Sequence, residues 1–274
     1  MTTMQTNYYD IVVLLLTDNN SQTIDRSMQS ILDQTFSAER IKIVAVDNHS
    51  TDGTYERLLE YVKDKNISVY RLDKKYLKTR LMFHANNLLK FTLHKYLTIL
   101  NPGDILYPNY LKKCADLLDD DSHADTRVIF CEVDFIDNHS KIFNQTPMFE
   151  KDRILEKKKH FIEVLSCEMG HKVQCFYRCG MLPVDLFELP HFVDFTDCFK
   201  KAWYLLSYQC MYLKDSLACI SNSKYSDKID DLGLRLYFIT RLKVFRDTVN
   251  NESVRFLDGL DSEEVYKNLS MYAL

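Results

Sequence analysis

The chain has no apolar run approaching the roughly 20 residues that a membrane-spanning helix needs; its longest early run, Ile11 to Leu16, is strand-sized. Its N-terminus lacks the basic region and long apolar stretch of a signal peptide, so the cytoplasm is the expected compartment. There is no basic excess: 35 Lys and Arg face 39 Asp and Glu, a net charge of -4. Nucleic acid is therefore not an expected partner. None of the eight cysteines forms a Cys-x-x-Cys pair, which argues against the usual paired zinc spacing. Cys175 and Cys179, with His171 nearby, come closest to a cluster; buried, reduced thiols are the expected reading. Internal repeats and low-complexity segments are absent too.

What is present is a chain of 274 residues, 46% of them apolar, enough to bury a sizeable core. Asp10 to Leu16, Ile41 to Val46, Ile67 to Leu72 and Tyr96 to Leu100 read as strands. Between them, Ile24 to Leu32, Thr54 to Val62 and Met82 to Leu93 read as helices, and Tyr110 to Leu118 follows as another. Alternation of this kind predicts a mostly parallel α/β sheet covered by helices. Arg127 to Ile136 adds a strand, and residues 138 to 160 read as a polar surface excursion. Beyond Phe161 the pattern turns helical, most clearly over Phe199 to Leu217, Leu232 to Val249 and Ser262 to Ala273.

Open α/β sheets bind ligands outside the carboxyl ends of their strands. The turns after Leu16, Val46 and Leu100 should share that edge, and they concentrate Asp, Asn and Ser. The most informative is Val46-Asp-Asn-His-Ser-Thr-Asp-Gly-Thr54. A carboxylate and an amide at a strand end can read a base edge, Ser50 and Thr51 can cap the next helix, and Gly53 permits a positive φ. By itself the same stretch also reads as an ordinary Asx-rich turn.

Four segments in order resemble glycosyltransferase family 2: Ile11 to Asn20, Ser30-Ile-Leu-Asp-Gln-Thr-Phe36, Ile43 to Thr54 and Tyr96 to Pro108. The resemblance covers roughly the first 115 residues. It implies a GT-A fold, a Rossmann-like sheet flanked by helices. Residues 1–220 would form that domain, with a nucleotide-binding half (1–118) and an acceptor-side half (119–220), and residues 221–274 a helical extension. It further implies that Thr17, Asp18, Asn19, Asp47, Asn48, Ser50 and Asn86 line the nucleotide site. The family's Asp-x-Asp motif falls on Asn101-Pro-Gly-Asp104, so Asn101, Gly103 and Asp104 would meet the metal and diphosphate. Mn²⁺ or Mg²⁺ is the implied cofactor.

The catalytic base implied by the family is a carboxylate before a helix, here Asp194 or Asp197; either also reads as a helix cap. The implied reaction moves a sugar with inversion from a nucleotide sugar, UDP-linked for preference, to a glycan, lipid-linked or protein acceptor, as in polysaccharide biosynthesis. Four positions depart from the family. Asp18 stands where an aromatic is expected, Ala85 where an Arg is common, and Asn101 and Gly103 replace the two aspartates. These changes motivate an alternative, a catalytically degenerate GT-A protein acting as a binding or partner subunit. Lys74, Lys75, Lys78 and Arg80 offer substitute cations, or simply a solvated basic loop. Leu234 to Arg246 is amphipathic and basic; it suits peripheral membrane contact as well as packing on the domain. Oligomerisation is left open.

Overall fold

The computed structural model describes residues 8–76, 78–89, 92–137, 141–144, 147–156, 160, 173–178, 205 and 208–221. The first half follows the alternation. Strand β1 (Tyr8–Thr17) leads to α1 (Ile24–Leu32), β2 (Ile41–Asp47), α2 (Thr54–Tyr61), β3 (Ile67–Arg71), α3 (Lys78–Leu89) and β4 (Leu93–Leu100). A short β5 (Ile105–Leu106), α4 (Tyr110–Asp119) and β6 (Thr126–Ile136) come next. The remaining described strands are β7 (Ile142–Phe143), β8 (Arg153–Ile154), β9 (Val173–Arg178) and β10 (Gln209–Ser221).

One sheet holds them all, in the order β3-β2-β1-β4-β9-β6-β10-β5, with β7 beside β6 and β8 beside β10. The β3-β2-β1-β4 part is parallel. Beyond it the sheet is mixed: β9 runs antiparallel to both β4 and β6, while β10 is parallel to β6. Side chains alternate across a strand. Ile11, Val13 and Leu15 therefore join Ile24, Met28 and Ile31 of α1 and Tyr110, Leu111, Cys114 and Leu118 of α4 in one core. Helix α3 also packs against β1. The described cysteines, 114, 131, 175, 210 and 219, are buried free thiols as expected.

Several sequence expectations need correction. The helix expected over Met82 to Leu93 lies at Lys78–Leu89, and Leu93 already belongs to β4, where it pairs with Tyr8. The excursion from 138 to 160 contributes β7 and β8 and buries Leu155 and His160. The largest error is the helix read over Phe199 to Leu217, since its second half is β10. Cys210 to Leu213 and Leu217 to Ile220 are buried without alternation. A strand covered on both faces reads as a continuous apolar run, which periodicity cannot separate from a buried helix. Central strand β9 was hidden in the same way. The helices expected over 232–249 and 262–273, and the extension 221–274 apart from Ser221, lie outside the described residues.

Glu132 of β6 is buried at 1% exposure. Its Oε2 accepts from the Tyr212 hydroxyl of β10 and from the Met148 N–H (3.1 Å). Burial and the Glu132 carboxylate both push the Tyr212 phenol up. Phe149 packs edge-on against Tyr212, ring centroids 4.9 Å apart. This network ties the 147–156 segment to the sheet. Tyr212→Phe removes a donor from a buried carboxylate and should destabilise the fold by about 1–3 kcal/mol in urea unfolding; an unchanged midpoint would show the network to be dispensable.

Candidate functional site

Because β1, β2 and β4 are parallel, their carboxyl ends share one edge; Thr17 pairs with Asp47 and Leu15 with Leu100. The loops that follow, 18–23, 48–53 and 101–104, lie side by side there. Asp47 is wholly buried. Its Oδ1 accepts from the Thr17 hydroxyl (3.0 Å) and its Oδ2 from the Ser50 N–H (3.0 Å), with Arg71 Nε 3.6 Å from Oδ2. Arg71 also donates to the Ser50 carbonyl (2.6 Å). Asp47 and Thr17 thus bind each other and fasten the loop, rather than facing outward.

The outward-facing carboxylate is Asp18, 36% exposed in its side chain. It accepts from Lys75 Nζ (2.8 Å) and Asn48 Nδ2 (3.1 Å). The Asn48 amide is clamped a second time, donating to the Tyr76 carbonyl (2.8 Å) and accepting from the Tyr76 N–H (2.8 Å). Segment 73–76 is thereby held over the loop edge. Lys74 lies 5.5 Å from the Tyr76 ring centroid. Of the basic loop, then, Lys75 is paired and Lys74 rests on an aromatic; the side chains of Lys78 and Arg80 lie outside the described residues.

Asn19 and His49 adopt positive φ, 54° and 57°, a region Asn and His tolerate better than most residues. Asn19 N–H donates to Ser50 Oγ (2.9 Å), and Asn19 Oδ1 accepts from the Thr51 N–H (2.9 Å). Ser50 and Thr51 therefore bridge to the first loop instead of capping α2. The residue before α2 is Gly53, at φ 92°, and Asp52 Oδ1 accepts from the Thr54 N–H (3.1 Å). Asp52 Oδ2 accepts from the Ser21 N–H (2.9 Å). Burial would raise the Asp52 pKa, but the Thr54 hydroxyl and the N–H groups of Ser21 and Thr54 hold it at about 2.

The 101–104 turn is braced by α1. Ser27, fully buried, accepts from the Gly103 N–H (2.8 Å) and donates to the Asp104 carbonyl (2.8 Å). Ser30 Oγ accepts from the Leu106 N–H (3.2 Å). Gln34 donates to the Tyr107 carbonyl (2.8 Å) and accepts from the Leu111 N–H (3.0 Å). Arg26 Nη2 donates to the Gly103 carbonyl (2.6 Å). Asp104 is 4% exposed; its Oδ1 accepts from the Ser221 N–H (2.9 Å) and its Oδ2 from Asn101 Nδ2 (3.2 Å). Nearby, Tyr107 donates to Asp134 (2.7 Å). The Cys219 thiol is pushed up to about 11, chiefly by burial and further by Asp134 and Asp104, against the opposing effects of Tyr107 and Arg26.

As a divalent-cation site this turn fits poorly. Hard cations want several carboxylate or carbonyl oxygens. Gly103 brings no side chain, Asn101 aims an N–H at Asp104, and a guanidinium stands beside Gly103. Among the described residues no three His, Cys, Asp or Glu side chains could hold a metal together. The loops thus gather Thr17, Asp18, Asn19, Asp47, Asn48 and Ser50 into one network, with the Asn101–Asp104 turn at the next strand end. Ala85 is buried in α3; the Asn86 side chain, Asp194 and Asp197 lie outside the described residues. Sequence reasoning missed Ser27 and Arg26. Their signal was their helical spacing, three and four residues before Ser30 on the helix that carries the Ser30 to Phe36 motif.

The family model described as "Glycosyl transferase family 2" matches residues 12–176, more than half of the chain. The protein belongs to that family. No curated protein matches it by sequence. Among solved structures it is similar to S. aureus TarS 1–349, with a TM-score of 0.62 and 17% identity over 90% of this chain and 68% of that one. TarS 1–349 in complex with UDP-GlcNAc gives a TM-score of 0.61 and 18% identity over 90% of this chain and 69% of that one. GalNAc-T7, crystallised with UDP, GalNAc and Mn²⁺, gives a TM-score of 0.53 and 17% identity over 78% of this chain and 44% of that one. The fold is GT-A.

Two outcomes follow from the loop network. Asp47→Ala strands the buried Thr17 hydroxyl and Ser50 N–H and should lower stability by about 2–4 kcal/mol in urea unfolding. A loss below about 0.5 kcal/mol, the scale of an ordinary surface substitution, would remove Asp47 from its fastening role. Asp52 has a depressed folded pKa, so its contribution is present above the unfolded value and lost as pH falls. The stability gap between wild type and Asp52→Ala should be full at pH 6 and close between about pH 4 and pH 2. A gap independent of pH would contradict this.

Proposed function

We propose that the protein is an inverting glycosyltransferase moving a sugar from a nucleotide-diphosphate sugar, with UDP the favoured nucleotide, to a glycan, lipid-linked or protein acceptor. The observation that carries the reading is the meeting of three polar loops at one edge of a parallel GT-A sheet, in a chain of this family. The base would sit against the loops after β1 and β2, where Asp18 and Asn19 face outward while Thr17, Asp47, Asn48 and Ser50 hold the loops in shape. Asn86 would approach from α3. The diphosphate would lie at Asn101, Gly103 and Asp104.

The acceptor-side base would be Asp194 or Asp197. Its carboxylate takes the proton of the acceptor hydroxyl as that oxygen attacks the anomeric carbon. The anomeric bond to the diphosphate breaks on the opposite side, the nucleoside diphosphate leaves with the bonding electrons, and the configuration inverts. Residues 1–220 would carry this chemistry and 221–274 would form an added helical part; peripheral membrane contact and oligomerisation belong to the same reading. Among the described residues no helix is long and apolar enough to cross a membrane.

A second reading, a degenerate GT-A subunit, is favoured by one observation: the Asp104 carboxylate is already engaged by Ser221 and Asn101. Thermal shift with UDP-, GDP- and dTDP-sugars separates the two. The enzyme should gain stability with at least one donor, since a ligand of the folded state stabilises it. No response to any donor would leave the partner-subunit reading standing. Asp194→Asn should lower turnover by about a hundredfold or more with donor affinity nearly unchanged; full activity would move the base to Asp197 or elsewhere.

A further inference from the structure

Arg26 sits in the first turn of α1, half-buried. Its Nη2 donates to the Gly103 carbonyl, and its Nε is buried without a hydrogen-bond partner. Among the described residues no carboxylate lies within ion-pair distance of its guanidinium. Asp104 and Asp134 are near enough to influence Cys219, yet Asp104 is engaged by Ser221 and Asn101, and Asp134 by Tyr107. A partly desolvated guanidinium is costly without a counter-charge. This one is fixed in direction by a backbone bond and has no counter-charge among the described residues, at the turn where the charged part of the ligand would rest.

Gly103 explains how the cation fits. It adopts φ 98°, and a Cβ placed on it would meet Arg26 Nη2 and Thr23 Cβ at 3.4 Å and Ser221 Cβ at 3.6 Å. The contacts alone are ordinary, but at this φ any side chain is strained, so the position as folded suits glycine. With glycine at 103 the guanidinium reaches the backbone carbonyl of the turn and meets no side chain there.

We propose that Arg26 is the diphosphate-binding cation of this protein, supplying from the chain the charge that a divalent metal supplies at an intact Asp-x-Asp site. This rests on the nucleotide-sugar reading above. A guanidinium offers a rigid fork of donors suited to phosphate oxygens; here Nη2 is anchored on Gly103 and Nε is buried, so Nη1 is the donor left for the ligand. Arg26 would hold the diphosphate in the ground state and offset its growing charge as the glycosidic bond breaks.

Calorimetry with UDP, GDP and dTDP, and with uridine, guanosine and thymidine as phosphate-free controls, tests this in chelator and in Mn²⁺. Wild type should bind one diphosphate with similar affinity in both buffers. Arg26→Gln keeps a polar side chain with N–H donors and loses the charge; it should weaken that diphosphate by about tenfold or more while leaving the matching nucleoside unchanged. Arg26→Lys, which keeps the charge without the fork, should fall between. A structural brace alone would instead show equal losses for diphosphate and nucleoside, or a lowered melting temperature with selectivity intact, and would overturn the proposal. Binding that requires Mn²⁺ and ignores Arg26→Gln would also overturn it while sparing the nucleotide-sugar reading. Failure of every nucleotide to bind wild type would overturn both.

Discussion

The edge of this sheet depends on a buried polar seam along α1. Ser27, Ser30 and Gln34 are three and four residues apart, so they lie on one face of the helix and just beyond its end. Each satisfies backbone groups of the segment 103–111, which has few regular partners of its own beyond the two residues of β5. A buried N–H or carbonyl left unpaired would cost more than a made bond returns. The seam thus fixes the conformation of the turn after β4 and also sets where α4 begins. It joins elements more than seventy residues apart and places Arg26, one residue from Ser27, against Gly103.

The loops after β1 and β2 are fastened differently, by one carboxylate inside and one outside. Asp47 is spent on Thr17, Ser50 and Arg71, which frees its neighbours from holding the strand ends together. Asp18 is left at the surface, where Lys75 offsets its charge and Asn48 ties it to Tyr76. An exposed pair of this kind contributes little to stability. Its worth lies in bringing segment 73–76 across the loop edge.

These differences mark what the sequence could and could not disclose. Strands β1 to β4 were legible because polar turns and amphipathic helices separate their apolar runs. The Asp47 to Thr54 stretch was legible as a feature, but its inward and outward members were not: Asp47 and Asp18 look alike in a string of residues and differ only in burial. Strand β10 was misread because Met211, Tyr212, Leu213 and Cys219 are buried whichever way they point. Arg26 was passed over because a charge near the start of an amphipathic helix normally faces water. Only the fold shows that its guanidinium is turned onto the backbone of a glycine 77 residues away.

The changes in the 101–104 turn form a set when charge is counted. In the family's pattern, two aspartates bring two negative charges and a divalent cation returns two positive ones. Replacing the aspartates with Asn101 and Gly103 while keeping the cation site would leave an excess of positive charge with few ligands. Losing two carboxylates and a divalent metal together would remove equal charge of either sign. The diphosphate would then need a cation that no longer depends on those carboxylates, a need that Arg26 would meet under the proposal, since Gly103 has no side chain to neutralise it. Under the proposal for Arg26, the two substitutions that make the turn look inactive are the ones that leave its guanidinium free to meet a phosphate.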